Sequence, residues 1–300
     1  MASERAFPLS SALAALGAAV LFGASTPLAK ALLHELSPLL LAGLLYLGSG
    51  VGLLLLRLLR DRGWRRPGLT PPHWIWLALA IACGGILAPV LLMQGLLHTP
   101  AATASLLLNL ETVLTALIAW LVFRENANVR IVLGFTLIVT GAVLLALPGT
   151  AQPLAPAGSA LLIAGACLGW ALDNNFTCRV ASSDAVFIAG LKGLVAGVVN
   201  TGIALAMGAQ LPGLPAVGMA MGVGLAGYGI SLVLFVLALR GVGSARTGAY
   251  FSTAPFIGAG IAILAFGDHA AWPFWLAAIL MATGVWLHLT ERRAHLAGGR

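Results

Sequence analysis

The sequence predicts an all-α integral membrane protein: ten transmembrane helices as two inverted five-helix repeats. Three observations carry this prediction. The chain of 300 residues is 60% hydrophobic and only 8% charged, so a bilayer must surround most of its surface. Its apolar stretches divide into segments of roughly the 20 residues that cross a bilayer. Its two halves also share residues at a constant offset.

Each predicted span is bounded by charged residues or by Pro and Gly breaks. Pro148-Gly149 ends the fifth span, and the segment 210–215 separates the seventh from the eighth. Residues 8–25 resemble a signal peptide, but Lys30 closes the run and cleavage would break the repeat, so we expect a retained first helix. The predicted spans are about 10–33, 37–60, 72–97, 100–123, 128–147, 156–180, 183–208, 213–240, 244–266 and 271–290.

The two halves match at an offset of 143 residues, which is the separation of Glu125 from Asp268. The same offset aligns Thr140-Gly141 with Thr283-Gly284. With five spans in each half, the repeats must point in opposite directions across the bilayer. We therefore expect a pseudo-two-fold axis in the membrane plane, with a binding site near it at mid-membrane depth. The predicted repeats are residues 1–149 and 150–300.

Basic residues predict the orientation, because Lys and Arg are enriched in cytoplasmic loops. With the N-terminus inside, every basic residue except Lys30 and Lys192 falls on the inner side. Lys30 ends the first span on the outside, and Lys192 lies within the seventh span. We therefore expect both termini in the cytoplasm. The net charge of +7 reflects this orientation, and no nucleic-acid partner is expected.

Three ionisable side chains fall within predicted spans, where such groups are costly and usually face a partner or a cavity. Glu111 lies halfway along the fourth span, Asp173 in the sixth and Lys192 in the seventh. At the helical rise, Asp173 and Lys192 lie roughly 10 and 14 Å from the inner ends of their helices. These depths predict an ion pair, which could be a structural brace or a switch that contacts a ligand.

Glu111 has no cationic partner in this prediction, because Lys192 is the only basic residue at depth and is expected to pair with Asp173. The carboxyl group could support helix packing through a hydrogen bond. It could equally bind a proton or the ammonium group of a ligand. The sequence leaves these alternatives open.

Other polar and aromatic residues at depth complete the predicted lining of a cavity. The aromatic rings could stack on flat guests or attract cations, although a single ring more often serves packing. Pro27, Pro89 and Pro255 lie inside predicted spans and predict helix bends, since each proline frees a backbone carbonyl. The predicted lining residues are Phe22, Gln94, Asn109, Glu111, Trp170, Asp173, Asn174, Tyr228, Tyr250, Phe251 and Ser252.

Several chemistries lack support in the sequence. There is no GxxxxGK[ST] loop for ATP, and neither HExxH nor GxSxG suggests a hydrolase. The three cysteines lie in apolar runs without metal-ligand spacing. We therefore expect no enzyme activity, no metal and no cofactor, with the bilayer and a small molecule as partners and a monomer as a plausible assembly.

The chain resembles the drug/metabolite transporter superfamily, EamA-type, over essentially its whole length. The resemblance rests on Phe22-Gly23 followed by Lys30, and on 110–113 (Leu-Glu-Thr-Val) leading to Glu125. Gly134, Gly141, Trp170 and the segment 254–256 (Ala-Pro-Phe) match further positions. Among characterised members the chain is most similar to bacterial exporters of aromatic amino acids.

This resemblance implies a central cavity lined by spans one, three, four, six, eight and nine, in the plasma (inner) membrane of a prokaryote. It implies a secondary transporter that exports amino acids, aromatic ones favoured, or related small metabolites by alternating access. Efflux of cationic drugs, with Glu111 as the counter-charge, is an alternative within transport. A non-transporting membrane scaffold or an intramembrane enzyme is the alternative from another class.

Overall fold

The computed structural model describes residues 9–63, 68–122, 129–147, 155–180 and 183–297, without the side chains of 9, 244, 245 and 288–297. These residues form helices joined by short connections, and no strand occurs among them. The elements in chain order are α1 (Leu9–Leu32), α2 (Pro38–Asp61), α3 (Pro71–Ala80), the π-helix π1 (Ile81–Leu87), α4 (Ala88–Leu96), α5 (Ala101–Leu107), α6 (Asn109–Leu121), α7 (Val129–Ala146), α8 (Ala157–Cys178), α9 (Ala185–Ala206), α10 (Leu214–Gly224), the π-helix π2 (Leu225–Ile230), α11 (Ser231–Val242), α12 (Ser244–Phe251), α13 (Ala254–Phe266) and α14 (Trp272–Ala297).

Within the described ranges, eight helical segments are long and apolar enough to cross a membrane. Two further predicted spans, which correspond to α8 and α14, are not long and apolar enough by the same criteria. The polar run 173–175 interrupts the apolar sequence of α8, and the apolar part of α14 is the shorter segment Trp272–Leu287. The eight segments are Ser10–Leu32, Pro38–Asp61, Pro71–Leu96, Ala101–Leu121, Val129–Ala146, Ala185–Ala206, Leu214–Val242 and Arg246–Phe266.

The surface of these helices is strongly apolar. Leu59, Leu214 and Leu264 are each more than three-quarters exposed, and many other large apolar side chains are exposed with them. Monomeric soluble proteins rarely expose apolar patches of this extent, whereas lipid tails accommodate them. The fold is therefore that of a multi-pass membrane protein.

Helices α2 and α9 form the most extensive contact between any two of the described elements. Glycines make this approach possible, because a Cβ on Gly193 would lie only 2.7 Å from the backbone nitrogen of Gly50. A Cβ on Gly197 would likewise lie 2.7 Å from Cγ of Leu47. Small residues at such contacts let backbones approach closely, which is the usual basis of helix association in membranes.

Other helices form further contacts. α8 contacts α4 and α6, α1 contacts α11 and α13, and α7 contacts α14. A large buried cluster of Leu, Ala, Phe and Trp side chains joins these elements. Phe123, Arg124 and Glu125, which belong to the sequence repeat, lie outside the described residues.

Four of the long helical runs contain an interruption near their middle. π1 divides the run of α3 and α4, and π2 divides the run of α10 and α11. Leu108 separates α5 from α6, and Ser252-Thr253 separates α12 from α13. Such interruptions recur at functional sites, because they free backbone groups for other partners.

Candidate functional site

A carbonyl freed by Pro89 organises one side of the site. The Gly84 carbonyl would accept from residue 88 in an α-helix or from residue 89 in a π-helix. The N–H of Ala88 donates instead to the carbonyl of Cys83, and Pro89 has no N–H. The Gly84 carbonyl is satisfied from other helices, by the Tyr46 hydroxyl at 2.8 Å and by Trp170 Nε1 at 3.0 Å. These bonds fix α2 and α8 against π1.

Asp173 and Lys192, which sequence reasoning expected to pair, are brought together next to π1. Lys192 Nζ lies 2.6 Å from Asp173 Oδ2, and the two side chains are 20% and 6% exposed. The Thr177 hydroxyl donates a further hydrogen bond to Asp173 Oδ1 at 2.9 Å. A Cβ on Gly84 would collide with the Asp173 carboxylate, and a Cβ on Gly85 would lie 3.4 Å from Cγ of Lys192. The π1 glycines therefore make room for the pair.

Glu111 and Asn174 also meet, between α6 and α8. Asn174 Nδ2 donates to Glu111 Oε1 at 2.8 Å, and Asn175 Nδ2 donates to the Thr115 carbonyl at 3.1 Å. Glu111 is half-buried, whereas Asn174 is exposed. An exposed amide next to a carboxyl group at this depth requires an opening between the helices, because lipid offers no hydrogen-bond partners. The Glu111–Asn174 pair is thus the accessible polar part of the site.

An aromatic cluster spans both halves of the chain beside these polar groups. The Phe22 ring lies 6.0 Å from the Tyr228 ring and 5.3 Å from the Phe251 ring. Tyr228 in turn lies 5.5 Å from the ring of Tyr46, and Phe235 lies 4.9 Å from Phe251. Phe22, Tyr228 and Phe251 are half-buried, so part of each side chain remains exposed. The cluster offers flat or aromatic ligands a wall for stacking.

Three of the sequence-predicted residues, Asn109, Ser252 and Gln94, lie apart from this arrangement. Asn109 is 1% exposed and donates to the Leu106 carbonyl at 2.8 Å, which supports the break between α5 and α6. The Ser252 hydroxyl donates to the Ala249 carbonyl at 2.8 Å, within the break after α12. Gln94 lies on an exposed face of α4. Tyr250 is half-buried on α12, next to Phe251.

The three predicted bend prolines occupy different situations. Pro89 follows π1 directly, and Pro255 lies in the first turn of α13, just after the break at Ser252-Thr253. Pro27 lies inside α1, which continues as one helix from Leu9 to Leu32.

Sequence reasoning missed Tyr46 and Thr115 as members of the site. Tyr46 is the only aromatic residue of α2, and this isolation in a Leu- and Gly-rich helix was the available signal. Thr115 lies four residues after Glu111 on the same face of α6, so helical spacing could have found it.

The end of the molecule that carries Lys30, here called the Lys30 end, is closed by two charged caps. Lys30 Nζ donates to the carbonyls of Leu96 and Leu97 at 2.6 and 2.9 Å, at the C-terminus of α4. Asp268 Oδ2 accepts from the N–H of Ala102 at 2.8 Å, at the N-terminus of α5. Both charges have the sign that the helix dipole favours. Behind them, α5 packs directly against α13.

The opposite end, here called the Arg57 end, is held together mainly by α2 and α9. Asp184 caps the N-terminus of α9 and accepts hydrogen bonds from Arg57 Nε and Arg60 Nη2, each at 2.9 Å. Partial burial raises the pKa of Asp184, but these hydrogen bonds outweigh it and hold the pKa below the usual 3.8. At this end α6 packs against α8, whereas α12 packs against α1. α6 and α12 therefore pack against different partners at this end.

Comparison with known proteins places this geometry in a family. The EamA-like transporter family matches the chain twice, over residues 9–147 and 158–290. A protein of Methanothermobacter thermautotrophicus, described as an uncharacterized transporter, is 30% identical over 289 residues, which cover 90% of this chain and 83% of that protein. A probable 4-amino-4-deoxy-L-arabinose-phosphoundecaprenol flippase subunit of Pseudomonas fluorescens is 36% identical over 85 residues, 28% of this chain and 70% of that subunit.

A solved crystal structure shares the fold. It superposes with a TM-score of 0.68 over 95% of this chain and 97% of that chain, at 20% sequence identity. These comparisons agree with the helical bundle described above. They comprise two matches to one family, a relative along nearly the whole length and a shared fold. The chain belongs to the EamA-like transporter family and is a multi-pass membrane transporter.

Proposed function

We propose that this transporter crosses the plasma membrane ten times and exports amino acids, aromatic ones favoured, by alternating access. The observation that carries the proposal is that one helical bundle holds both the Glu111–Asn174 pair and the aromatic cluster of Phe22, Tyr228 and Phe251. A carboxyl group suits the ammonium of an amino acid, and the rings suit an aromatic side chain.

Two inverted repeats account for the paired irregularities of the helices. π1 ends at Leu87 and π2 at Ile230, which are 143 positions apart, the offset of the sequence repeat. The breaks at Leu108 and Ser252-Thr253 fall within two positions of the same offset. The two family matches, one in each half, also support a duplication.

A pair of touching glycines supports a two-fold axis. Gly50 and Gly193 are themselves 143 positions apart, and their backbones are in direct contact. Residues that are equivalent under a two-fold axis and also touch each other lie on opposite sides of that axis, which passes between them. The axis would therefore cross the α2–α9 contact, close to Tyr46 and to the bound carbonyl of Gly84.

Charge and closure support export as the direction of transport. The distribution of basic residues favours an Arg57 end in the cytoplasm and a Lys30 end outside. The structure is closed at the Lys30 end, and α6 and α12 lie on different partners at the other end. A conformation open to the cytoplasm is the one that an exporter needs for loading.

Efflux of quaternary cations is the second candidate. It is favoured because Glu111 is bonded to the neutral Asn174, while Lys192 is occupied by Asp173. A carboxyl group without a bonded cation, next to aromatic rings, also suits a permanently charged guest.

Flux through the purified protein in liposomes separates the two candidates. We expect transport of labelled phenylalanine and tryptophan, and a loss of at least about tenfold in Glu111→Gln, since a charge-assisted contact contributes about 1.5–3 kcal/mol. Glu35→Gln, an exposed acid near the Lys30 end, is the matched control and should leave flux unchanged. Flux of a quaternary cation without flux of any amino acid would overturn the amino-acid proposal. Repeating the assay with a pH gradient tests coupling to protons.

A further inference from the structure

A narrow crevice lies where α1, α5 and α13 meet, beside both helix breaks. Its walls include Phe22, Gly23, Ser105, Leu108, Ala254 and Pro255. It adjoins the aromatic cluster through Phe22 and the first turn of α6 through Leu108, three residues before Glu111. The crevice therefore borders the proposed binding site and shares Phe22 with it.

One wall of the crevice carries an unsatisfied hydroxyl group. Ser105 is 0% exposed, and its Oγ has no hydrogen-bond partner among the described residues. A buried polar group left without a partner costs about 1–3 kcal/mol. A Cβ on Gly258 would lie 2.9 Å from this Oγ, so the hydroxyl lies against a position of α13 that carries no side chain. A ligand acceptor placed there would recover the missing bond.

The opposite wall is the N-terminus of α13, which carries a partial positive charge. Its counterpart at the 143-residue offset is the N-terminus of α6, where Glu111 supplies a carboxyl group in the first turn. The position equivalent to Glu111 in the second half is Ala254, which lines the crevice. The first turn of α13 therefore lacks the negative charge that α6 provides for itself.

A third polar group faces the same space. Pro27 has no N–H, so the carbonyl of Gly23, four residues earlier in α1, has no helical donor. A Cβ on Gly258 would lie 2.6 Å from this carbonyl oxygen. The crevice thus combines a hydroxyl donor and a helix N-terminus with a free carbonyl acceptor. An α-amino acid has the matching carboxylate and ammonium groups on adjacent atoms.

We infer that this crevice is the subsite for the α-carboxylate of the substrate. The carboxylate takes the place that a Glu side chain at position 254 would fill. The inference rests on the proposed transport of amino acids and adds the group that selects among them. The carboxylate accepts from Ser105 Oγ and lies at the N-terminus of α13, while the ammonium faces the Gly23 carbonyl and Glu111.

The subsite also links binding to movement. In this conformation the crevice is too tight for a water molecule. A carboxylate loaded from the Arg57 end can fill the crevice fully only as α13 begins to move away from α5, and these two helices close the Lys30 end. Binding of the carboxylate therefore favours the change that opens the Lys30 end.

Paired substrates test the inference in the wild-type protein. Phenylalanine and phenethylamine differ only by the carboxylate, and we expect phenethylamine to be transported or to compete at least about tenfold more weakly. Equal handling of the two compounds would overturn the carboxylate subsite while leaving transport itself intact. Failure of both compounds to move would instead refute the proposed function on which the subsite depends.

Substitutions in the crevice give a second, independent readout. Ser105→Ala should weaken phenylalanine about tenfold and leave phenethylamine unchanged, whereas Thr99→Val, which removes another buried and unpartnered hydroxyl, should affect neither. Ala254→Glu should reverse the preference toward phenethylamine, because its carboxylate occupies the subsite. Ala254→Leu adds bulk without charge and should not reverse it. Retention of the wild-type preference in both Ser105→Ala and Ala254→Glu would contradict the assignment.

Discussion

At the residue scale, the site depends on one missing hydrogen-bond donor. Pro89 leaves the Gly84 carbonyl without a helical partner, and Tyr46 and Trp170 supply the replacement. Tyr46 then carries the contact to the ring of Tyr228 and so to the aromatic cluster. A backbone feature of the first half therefore positions a ring contributed by the second half.

Some residue contacts follow from depth along a helix and others do not. The distances of Asp173 and Lys192 from their helix ends place them at similar depth, and the structure pairs them. Asn109 was expected to line the cavity, but it is buried, donates to the Leu106 carbonyl at the break before α6, and turns toward Met281. Spacing along the sequence does not predict the direction in which Asn109 points, because a helix break changes the face on which later residues lie.

The Asp173–Lys192 pair gives a prediction of rescue. Lys192→Ala should destabilise the protein by about 3–5 kcal/mol, because it leaves a buried carboxylate unpaired. Asp173→Asn in the same chain removes that charge and should restore most of the stability and flux. Thermal unfolding and liposome flux of the two single variants and the double variant provide the measurement. A double variant no better than Lys192→Ala would argue against a mutual pair.

At the scale of elements, the interruptions distinguish this bundle from one of simple straight helices. Pro89 and Pro255 marked two of the interrupted runs in the sequence, whereas π2 has no proline and was not anticipated. A π-turn arises from the packing of a whole helix, so local sequence carries little information about it. The ends of most helices were nevertheless predictable, since charge and Pro or Gly mark them.

The α2–α9 contact predicts that Gly→Ala substitutions at two positions change the stability differently. Gly193→Ala should lower stability by about 1–3 kcal/mol, because its Cβ would meet the backbone of Gly50 at 2.7 Å. Gly218→Ala on α10 meets open space and should be neutral or stabilising by up to about 1 kcal/mol. Thermal unfolding in detergent compares the two variants with the wild type. Equal losses in both would mean that close α2–α9 packing is not the cause.

At the scale of the whole molecule, two opposite charges close one end. Lys30 from the first half and Asp268 from the second half cap the two helix ends that flank the turn between α4 and α5. The turn is thereby held from both halves of the chain. Movement of one half against the other must break at least one of the two caps.

Breaking a cap should therefore open the Lys30 end. We expect Asp268→Asn to speed labelling of a cysteine placed at the buried Thr103 by an impermeant maleimide, in a background free of other cysteines, by several-fold. The weaker amide acceptor replaces a charge-assisted bond to the N–H of Ala102. Glu35→Gln serves as the control at the same end. Unchanged labelling in Asp268→Asn would show that the cap does not hold this end closed.

The polar run that lowers the hydrophobicity of α8 affects how the protein inserts into the membrane during synthesis. A segment that carries Asp173, Asn174 and Asn175 enters a bilayer poorly by itself, because a central Asp costs about 2.5–3.5 kcal/mol at insertion. Lys192 follows only 19 residues later, on the next helix, and neutralises that charge. We expect α8 to remain at the membrane surface until α9 has been synthesised. The two helices then insert into the bilayer together as a hairpin.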